Sequence, residues 1–343
     1  MTWADTAPVR VLADRRIVGL VAMVLALIGT ALASIGIGAR SIAPETVWTA
    51  LVAFDPQSTD HQIIWALRIP RTLIGIGVGI ALGMAGAVLQ GATRNPLADP
   101  SILGIHAGAA VLVVIGIFIF GLTSFSQYVW LAFAGAGAAM LFVYSVASLG
   151  REGATPVKLA LAGAATTAAL MSVVSAVLLT SLNTLDEIRF WQVGSLAGRD
   201  MSIFTQVVPF LLLGTVLAFA IGRTLDGLAM GDDVARGLGQ NVAVSRGLAG
   251  LAAVILAGGA TAAAGPIAFV GLTVPHLARA ITGPSYRWIL PYSMLIAPLL
   301  LLGSDILGRI VAPPGEVQVG IVTAALGAPV FIALVRRRKL AEL

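Results

Sequence analysis

The chain has 343 residues, of which 58% are hydrophobic and 11% are charged, whereas ordinary soluble domains carry about 25% charged residues. Its mean hydropathy is +0.97, and its apolar runs approach the length that crosses a bilayer as a helix, so a soluble protein is excluded. The net charge of +5 does not indicate a nucleic-acid-binding protein, because the basic residues lie at the edges of the apolar runs.

Ten apolar runs follow one another between charged or Gly/Pro-rich breaks. They are apolar on all sides and do not alternate with polar residues, which favours helices over a β-barrel. We predict membrane-spanning helices at 17–36, 70–91, 100–120, 128–149, 157–181, 202–222, 248–264, 266–280, 288–308 and 317–335. Gly and Pro interrupt the pattern in the third and eighth of these spans.

The first span has some features of a signal peptide. Arg15 and Arg16 precede its apolar run, and Ala31-Leu32-Ala33 fits a cleavage site. The run is long for a signal core, and the later spans need a first helix to orient them. We therefore expect an uncleaved span.

Lysine and arginine residues set the orientation of the spans. With the N-terminus inside, fifteen of the 21 basic residues lie in inside segments and six lie in outside segments, as the positive-inside rule requires. We therefore predict an all-α integral membrane protein with ten transmembrane helices and both termini in the cytoplasm. Since no repeat or long linker divides the chain, we expect a single domain over residues 1–343.

Small residues form a smooth face on the second span. Gly75, Gly79, Gly83, Ala87 and Gly91 recur every four residues. In a bilayer, helix association depends on close approach at such positions. We predict that this face packs against other helices.

The sequence signals of a catalytic site are missing. A P-loop needs a lysine after a Gly-rich turn, but Lys158 and Lys339 lie in Thr-Pro-Val-Lys and Arg-Arg-Arg-Lys contexts. His-Glu-x-x-His and Gly-x-Ser-x-Gly are absent. The chain has no cysteine, and its histidines, His61, His106 and His276, are scattered. We predict no enzymatic activity, no bound cofactor and no metal site in this chain.

An energy source for transport is also missing. Proton- or sodium-coupled carriers usually place ionisable groups at mid-membrane, and Asp305 is the only acidic residue well inside a predicted span. Arg309 follows it four positions later, so a local ion pair explains the aspartate. If the chain transports, a separate chain supplies the energy; a secondary carrier is the alternative.

Three segments of the sequence resemble a known family. The first contains Leu67-Arg-Ile-Pro-Arg71, Gly86-Ala-Val-Leu-Gln-Gly91, Thr93-Arg-Asn-Pro-Leu-Ala-Asp-Pro100 and Leu103-Gly104. The others are Gly265-Pro-Ile-Ala-Phe-Val-Gly-Leu-Thr-Val-Pro-His-Leu-Ala-Arg279 and Gly320-Ile-Val-Thr-Ala-Ala-Leu-Gly-Ala-Pro329. In this order, from about residue 17 to the C-terminus, the chain resembles the FecCD family of importer permeases, whose fold has ten helices.

One segment departs from the family pattern. The family usually has Glu-Leu-Pro-Val-Gly before the last helix, whereas this chain has Glu316-Val-Gln-Val-Gly320, with Pro313 and Pro314 before it. We therefore expect the outer loop before the last span to be shaped differently.

The resemblance implies a permease subunit of an ATP-binding-cassette importer in the bacterial cytoplasmic membrane. The implied partners are a second permease subunit, identical or paralogous, two ATPase subunits that hold ATP and Mg²⁺, an extracytoplasmic substrate-binding protein and membrane lipid, but no nucleic acid. Ferric siderophores are the expected cargo, with haem and cobalamin as alternatives. A membrane scaffold or receptor is a further alternative, but it would have no reason to carry both a cytoplasmic coupling segment and arginines at the outer surface.

The first of these segments lies in the inside loop 223–246. Two acidic residues suit the first turn of a short helix and a glycine suits its end, and the run Gly231-Asp-Asp-Val-Ala-Arg-Gly-Leu-Gly239 resembles the family's coupling helix. We expect the helix to expose Val234 and Leu238 to the ATPase, with a solvated connector as the alternative. The predicted coupling residues are Asp232, Asp233, Val234, Ala235, Arg236, Leu238 and Gly239.

The second candidate for partner binding is a set of arginines expected at the outer surface of the membrane. Arg68, Arg71 and Arg309 run against the positive-inside trend, and a guanidinium suits carboxylates. At the matching positions of the family, arginines meet glutamates of the binding protein, so the resemblance implies docking. The alternatives are lipid anchoring for Arg68 and Arg71, and the pair with Asp305 for Arg309.

Hydroxyl side chains in the fifth span are candidates for the translocation pathway. The resemblance places this helix beside the pathway, and the polar residues are Thr166, Thr167, Ser172 and Ser175. Such side chains also bond to backbone carbonyls in any helical bundle, so both roles stay open.

Overall fold

The computed structural model describes residues 7–38, 40–150, 154–313 and 315–336. Pro314, Arg151 and the basic residues after Arg336 lie outside the described residues. In chain order the helices are α1 (Ala7–Gly36), α2 (Pro44–Val52), α3 (Thr59–Ile63), α4 (Ile69–Thr93), α5 (Ile105–Phe120), α6 (Phe125–Ala147), α7 (Pro156–Thr180), α8 (Leu182–Gln192), α9 (Met201–Ala220), α10 (Gly222–Ala229), α11 (Asp232–Gly237), α12 (Val242–Ala264), α13 (Val270–Thr282), α14 (Tyr286–Val311) and α15 (Val319–Arg336). A π-helical turn, Ile64–Arg68, joins α3 to α4.

Each of the ten predicted spans overlaps one helix, so the all-α membrane fold is confirmed. In the part of the chain that the structure describes, seven helices are long and apolar enough to cross a bilayer, and Ile105–Phe120 and Val319–Val330 are shorter apolar helices. The eighth span is α13, which has only 13 residues. Among the short helices, α11 was predicted as a separate element. The sequence did not predict α2, α3, α8 or α10.

Three boundaries differ from the prediction for local reasons. Helix α12 begins at Val242 rather than 248, because the Asn241 side chain accepts a hydrogen bond from Val244 N at 3.1 Å and caps the helix. Helix α13 begins at Val270 rather than 266, after Phe269, which has a left-handed φ of 69°. Helix α5 begins only after Gly104, whose φ of 74° suits glycine.

The bundle is organised around α4, most of whose residues are buried. It packs against α14, α12 and α13. A Cβ at Gly79 would lie 2.5 Å from Pro298 Cα on α14, and a Cβ at Gly86 would collide with the Gly271 carbonyl on α13. The small-residue face of the second span therefore packs against neighbouring helices, as predicted.

Candidate functional site

At the outer end of the bundle, a buried aspartate holds two arginines. Asp305 on α14 is 1% exposed, and its carboxylate accepts from Arg71 Nη2 at 2.7 Å and pairs with Arg309 Nη2 at 2.9 Å. Arg71 also donates through Nη1 to Glu316 Oε2 at 2.8 Å. We call Arg68, Arg71, Asp305, Arg309 and Glu316 the outer ion cluster.

Two arginines of this cluster, Arg68 and Arg309, bond to the end of α1. Arg68 donates through Nη1 to the carbonyls of Ile35 and Gly36 at 2.9 and 2.6 Å. Arg309 donates through Nη1 to those of Ser34 and Ile37 at 2.8 and 2.7 Å. The last carbonyls of a helix lack partners within the helix and carry partial negative charge. The two guanidiniums therefore satisfy the end of α1 from neighbouring helices.

The three arginines predicted for docking thus occupy different positions. Arg68 and Arg309 are buried, and their hydrogen bonds are made within the chain. The pair between Arg309 and Asp305, the alternative noted in the sequence, is present. Arg71 reaches the surface: its side chain is 14% exposed and that of its partner Glu316 is 27% exposed. The sequence did not identify Glu316 as a partner, because 245 positions separate it from Arg71.

At the cytoplasmic end, α10 and α11 form a compact unit of residues 222–239 that we call the coupling segment. Helix α11 begins at Asp232, and Gly239 follows it with a left-handed φ of 78°. Val234 is 45% exposed and Leu238 is 63% exposed, whereas Ala235 is buried. The segment therefore exposes an apolar patch at this end of the bundle.

Charged residues of α11 divide between solvent and the bundle. Asp233 is fully exposed and pairs with Arg236 at 2.9 Å, within the same helix. Asp232 accepts from Arg246 Nη2 on α12 at 2.8 Å. Arg246 also donates through Nε to the Ala92 carbonyl near the end of α4, at 3.3 Å. Asp232 thereby connects α11 to two membrane helices.

Helix α10 has its own connection to the bundle. Asp226 Oδ1 accepts from Tyr286 N at 2.7 Å, in the first turn of α14. A carboxylate at this position satisfies an otherwise unpaired N–H and interacts favourably with the helix dipole. Asp226 was not singled out in the sequence, because its partner is a backbone group 60 positions away.

The Asn95-to-Pro100 motif packs against the start of α13. Asp99 is buried, and its carboxylate accepts from Ser101 N at 2.8 Å and from Leu272 N in the first turn of α13. Burial raises the pKa of the Asp99 carboxyl above its usual value, while these hydrogen bonds act in the opposite direction. Gln90 on α4 donates to the Leu272 carbonyl at 3.2 Å. Two of the motifs that resemble the family thus meet in the protein interior.

The candidate pathway residues all lie on α7. Thr166 donates to the Ala162 carbonyl at 2.7 Å and Ser172 donates to the Ala168 carbonyl at 2.8 Å, both within the helix. Ser172 and Ser175 are exposed, and the hydroxyl of Thr167 is buried. These contacts are the backbone bonds named as the alternative, and a pathway role stays a prediction.

His106 and His276 each make a hydrogen-bond contact within the bundle. His106 Nδ1 lies 2.7 Å from Thr261 Oγ1 on α12, and His276 Nδ1 lies 3.1 Å from the Leu272 carbonyl. Among the residues that the structure describes, no group of three or more His, Cys, Asp or Glu is placed to hold a metal ion.

Comparison with known proteins places these features in a family. Residues 25–337 match the FecCD transport family. The chain is 44% identical over 316 residues to the ferric enterobactin transport system permease protein FepD of Escherichia coli, covering 92% of this chain and 94% of that protein. It is 40% identical over 324 residues to the Fe(3+)-citrate import system permease protein YfmD of Bacillus subtilis, covering 94% and 96%.

A solved structure shares the fold as well. An ABC transporter assigned to the metal-chelate type, in an inward-facing conformation, superposes with a TM-score of 0.78 at 28% identity, covering 93% of this chain and 98% of that chain. The family match spans most of the ten-helix bundle and includes all three of the segments that carry the resemblance. The chain belongs to the FecCD transport family.

Proposed function

We propose that this chain is the membrane permease of an ATP-binding-cassette importer for ferric siderophores. The observation that carries the proposal is the coupling segment, which exposes Val234 and Leu238 on the cytoplasmic side while Asp226 and Asp232 fasten it to α14 and α12. A solvated connector needs neither an apolar patch nor fixed contacts with the bundle. Membership in a family of transport permeases supports the same conclusion.

The coupling segment is the surface proposed for an ATPase. Burying a leucine side chain contributes about 1.5–3 kcal/mol, so Leu238 and Val234 supply a small apolar anchor that a groove can cover. ATP and Mg²⁺ are bound by the ATPase subunits, two for each pair of permease subunits, and this chain binds no cofactor itself. Movement of the ATPase is transmitted through Asp226 and Asp232 to the membrane helices.

The outer ion cluster is the surface proposed for the binding protein. Arg71 is the only one of the predicted docking arginines that is not buried, and both it and its partner Glu316 are partly exposed. A carboxylate on a binding protein can compete with Glu316 for Arg71. Arg68 and Arg309 are buried beside this site and stabilise it by hydrogen bonds to the end of α1.

The cargo is inferred from the relatives. Permeases for ferric enterobactin and for Fe(3+)-citrate are among the similar proteins, and haem or cobalamin remains the alternative cargo class. The same relatives support a location in the bacterial cytoplasmic membrane, where the chain pairs with an identical or paralogous permease.

Reconstitution in proteoliposomes tests the proposal. The chain is combined with its ATPase and binding protein, and uptake of a radiolabelled ferric siderophore is measured with and without ATP and Mg²⁺ on the ATPase side. Uptake is expected to require ATP and to be insensitive to a protonophore. Uptake without ATP that a protonophore abolishes identifies a secondary carrier and overturns the proposal. Competition by unlabelled haem or cobalamin decides between the cargo classes.

A further inference from the structure

The connection between α1 and α4 folds into a helical hairpin at the outer end of the bundle. It contains α2, α3 and the π-helical turn, and we call residues 40–68 the outer hairpin. Arg68, its last residue, donates to the carbonyls of Ile35 and Gly36, which come shortly before its first residue. The two ends of the hairpin are therefore joined beside the outer ends of α1 and α4.

A small hydrophobic core holds the outer hairpin against these two membrane helices. Ile42, Ala50 and Ile64 are buried in it. They pack against Ile35 at the end of α1 and Ile69 at the start of α4. The hairpin therefore lies at the level where α1 and α4 leave the bilayer.

The outer hairpin exposes large apolar side chains. Trp48 is 66% exposed, Phe54 is 47% exposed and Trp65 is 43% exposed. Val52 is also exposed, and because it follows Trp48 by four positions, both lie on one face of α2. The rings of Phe54 and Trp65 contact each other, with centroids 6.1 Å apart. Exposed apolar patches of this kind mark surfaces that contact a membrane or a partner.

The neighbouring surface indicates which of the two covers the hairpin. The membrane-spanning stretch of α1 is only 6% buried, and it exposes Leu25, Ile28 and Leu32. Helix α1 is thus a peripheral helix that faces lipid, and the hairpin packed on its outer end continues this apolar surface. Tryptophan is enriched at the boundary between lipid and water, because its ring is apolar and its N–H is polar.

Charged groups of the outer hairpin lie mainly away from the exposed apolar end of α2. Asp55 is in the turn between α2 and α3, and Asp60 on α3 pairs with Arg40 at 2.9 Å. The one carboxylate of α2, Glu45, lies in its first turn, and positions 48–52 contain no charged residue. The hairpin thus has an apolar end and a polar end, as helices that lie in a membrane interface do.

We propose that the outer hairpin is an interfacial anchor that inserts Trp48, Val52 and Trp65 among the lipids of the outer leaflet. The indole N–H of Trp65 donates to the Ala50 carbonyl at 2.7 Å. Its ring therefore enters the lipid without leaving a buried donor unpaired, which would be costly. The occupant is the lipid surface itself, since the apolar end of α2 carries no charge that would select one headgroup.

Spin-label depth measurements test the anchor. Because the chain has no cysteine, a nitroxide can be attached to Val52→Cys and, as a control in the polar turn, to Gln57→Cys; both parent residues are exposed. In nanodiscs, the label at position 52 should collide several times more often with oxygen, which dissolves in lipid, than with a water-soluble nickel chelate. The label at position 57 should show the reverse. Preference for the nickel chelate at both positions overturns the proposal.

Two tryptophan variants separate anchoring by the hairpin from general contact with lipid. In the Val52→Cys background, Trp48→Ser should raise the collision rate of the label with the nickel chelate several-fold, because the same face of α2 loses its largest apolar ring. Trp130→Ser removes an exposed ring of α6 and should leave the rate unchanged. An unchanged rate in Trp48→Ser, or an equal rise in both variants, contradicts the anchor.

The same label distinguishes lipid from a protein partner. The measurement on Val52→Cys is repeated with the binding protein in excess. Exclusion of the nickel chelate from the chain alone, unchanged when the binding protein is added, is the expected result. Exclusion that develops only after the binding protein is added identifies a docking surface for that protein and overturns the proposal.

Discussion

The two ends of the bundle use charge in opposite ways. At the outer end, Arg68, Asp305 and Arg309 are buried and bond to one another or to the end of α1. At the cytoplasmic end, Asp233 and Arg236 are exposed, whereas Asp226 and Asp232 bond to membrane helices. The outer cluster thus fixes α1, α4 and α14 to each other, whereas the coupling segment leaves the apolar side chains of Val234 and Leu238 exposed. Helix α14 connects the two regions: its first turn bonds to Asp226, and its last turns carry Asp305 and Arg309.

If the chain crossed the membrane in the opposite orientation, the assignment of the two ends as outer and cytoplasmic would be wrong. Because the chain has no cysteine, single cysteines report topology with a membrane-impermeant thiol reagent in intact cells. Labelling is expected at Gln57→Cys and Ser126→Cys and not at Asn241→Cys, and all three parent residues are exposed. Labelling of the Asn241→Cys variant from outside would place the coupling segment on the wrong side. The companion inside position, Gly153, lies outside the described residues.

The largest effect on stability is expected at Asp305. Replacing Asp305 by Ala leaves the buried guanidinium of Arg309 without its carboxylate, and removing one partner of a buried ion pair costs about 3–5 kcal/mol. The thermal midpoint of the protein in detergent should fall clearly. Asp186→Ala is the control, because the pair between Asp186 and Arg189 on α8 is exposed and exposed pairs contribute about 0–1 kcal/mol. Equal midpoints for the two variants contradict a structural role for the outer ion cluster.

A smaller effect is expected at Asp226, where the coupling segment bonds to α14. Asp226→Ala removes the acceptor for Tyr286 N, and loss of such a cap costs about 0.5–2 kcal/mol. The number of cargo molecules imported per ATP hydrolysed should decrease, because α10 is no longer fastened to α14. Asp226→Asn keeps a side-chain oxygen and should retain most of the coupling.

Asp200 provides the matched control for this experiment. Its side chain accepts from Ile203 N at 3.0 Å and caps α9 at the outer side, so Asp200→Ala loses a comparable cap without touching the coupling segment. Its transport per ATP should stay normal. A similar decrease in both alanine variants would mean that lost stability, and not a lost connection, explains the result.

The sequence predicted the ten apolar helices and the all-α class because each of these helices carries its own apolar signal. It also predicted α11, since Asp232, Asp233 and Gly239 are local end signals. It did not predict the partners of Arg68, Asp226 or Glu316, because these contacts join positions far apart in the chain and depend on the packed bundle. The same limit explains why the burial of Arg68 and Arg309 was not predicted.

The smallest predicted effect concerns Arg71 and Glu316. Glu316→Gln removes a competing carboxylate at a partly exposed position. Since ion pairs near the surface contribute about 0–1 kcal/mol, binding-protein affinity should rise by no more than about fivefold. The increase should be seen at low salt and disappear at high salt, where these charges are screened. Binding measured by surface plasmon resonance checks this. Unchanged affinity at low salt means that Arg71 does not receive a carboxylate from the binding protein.

The coupling role of α11 is tested most directly by one measurement on Leu238. ATPase affinity and ATP-driven uptake are compared for Leu238→Ser and for Val52→Ser, which changes an exposed apolar side chain on the outer helix α2. The account predicts that Leu238→Ser weakens ATPase association by about tenfold or more, as expected for losing a buried leucine, and lowers uptake with it. Val52→Ser should leave both unchanged. Normal ATPase affinity and normal uptake in Leu238→Ser would contradict the central claim that this segment couples the permease to its ATPase.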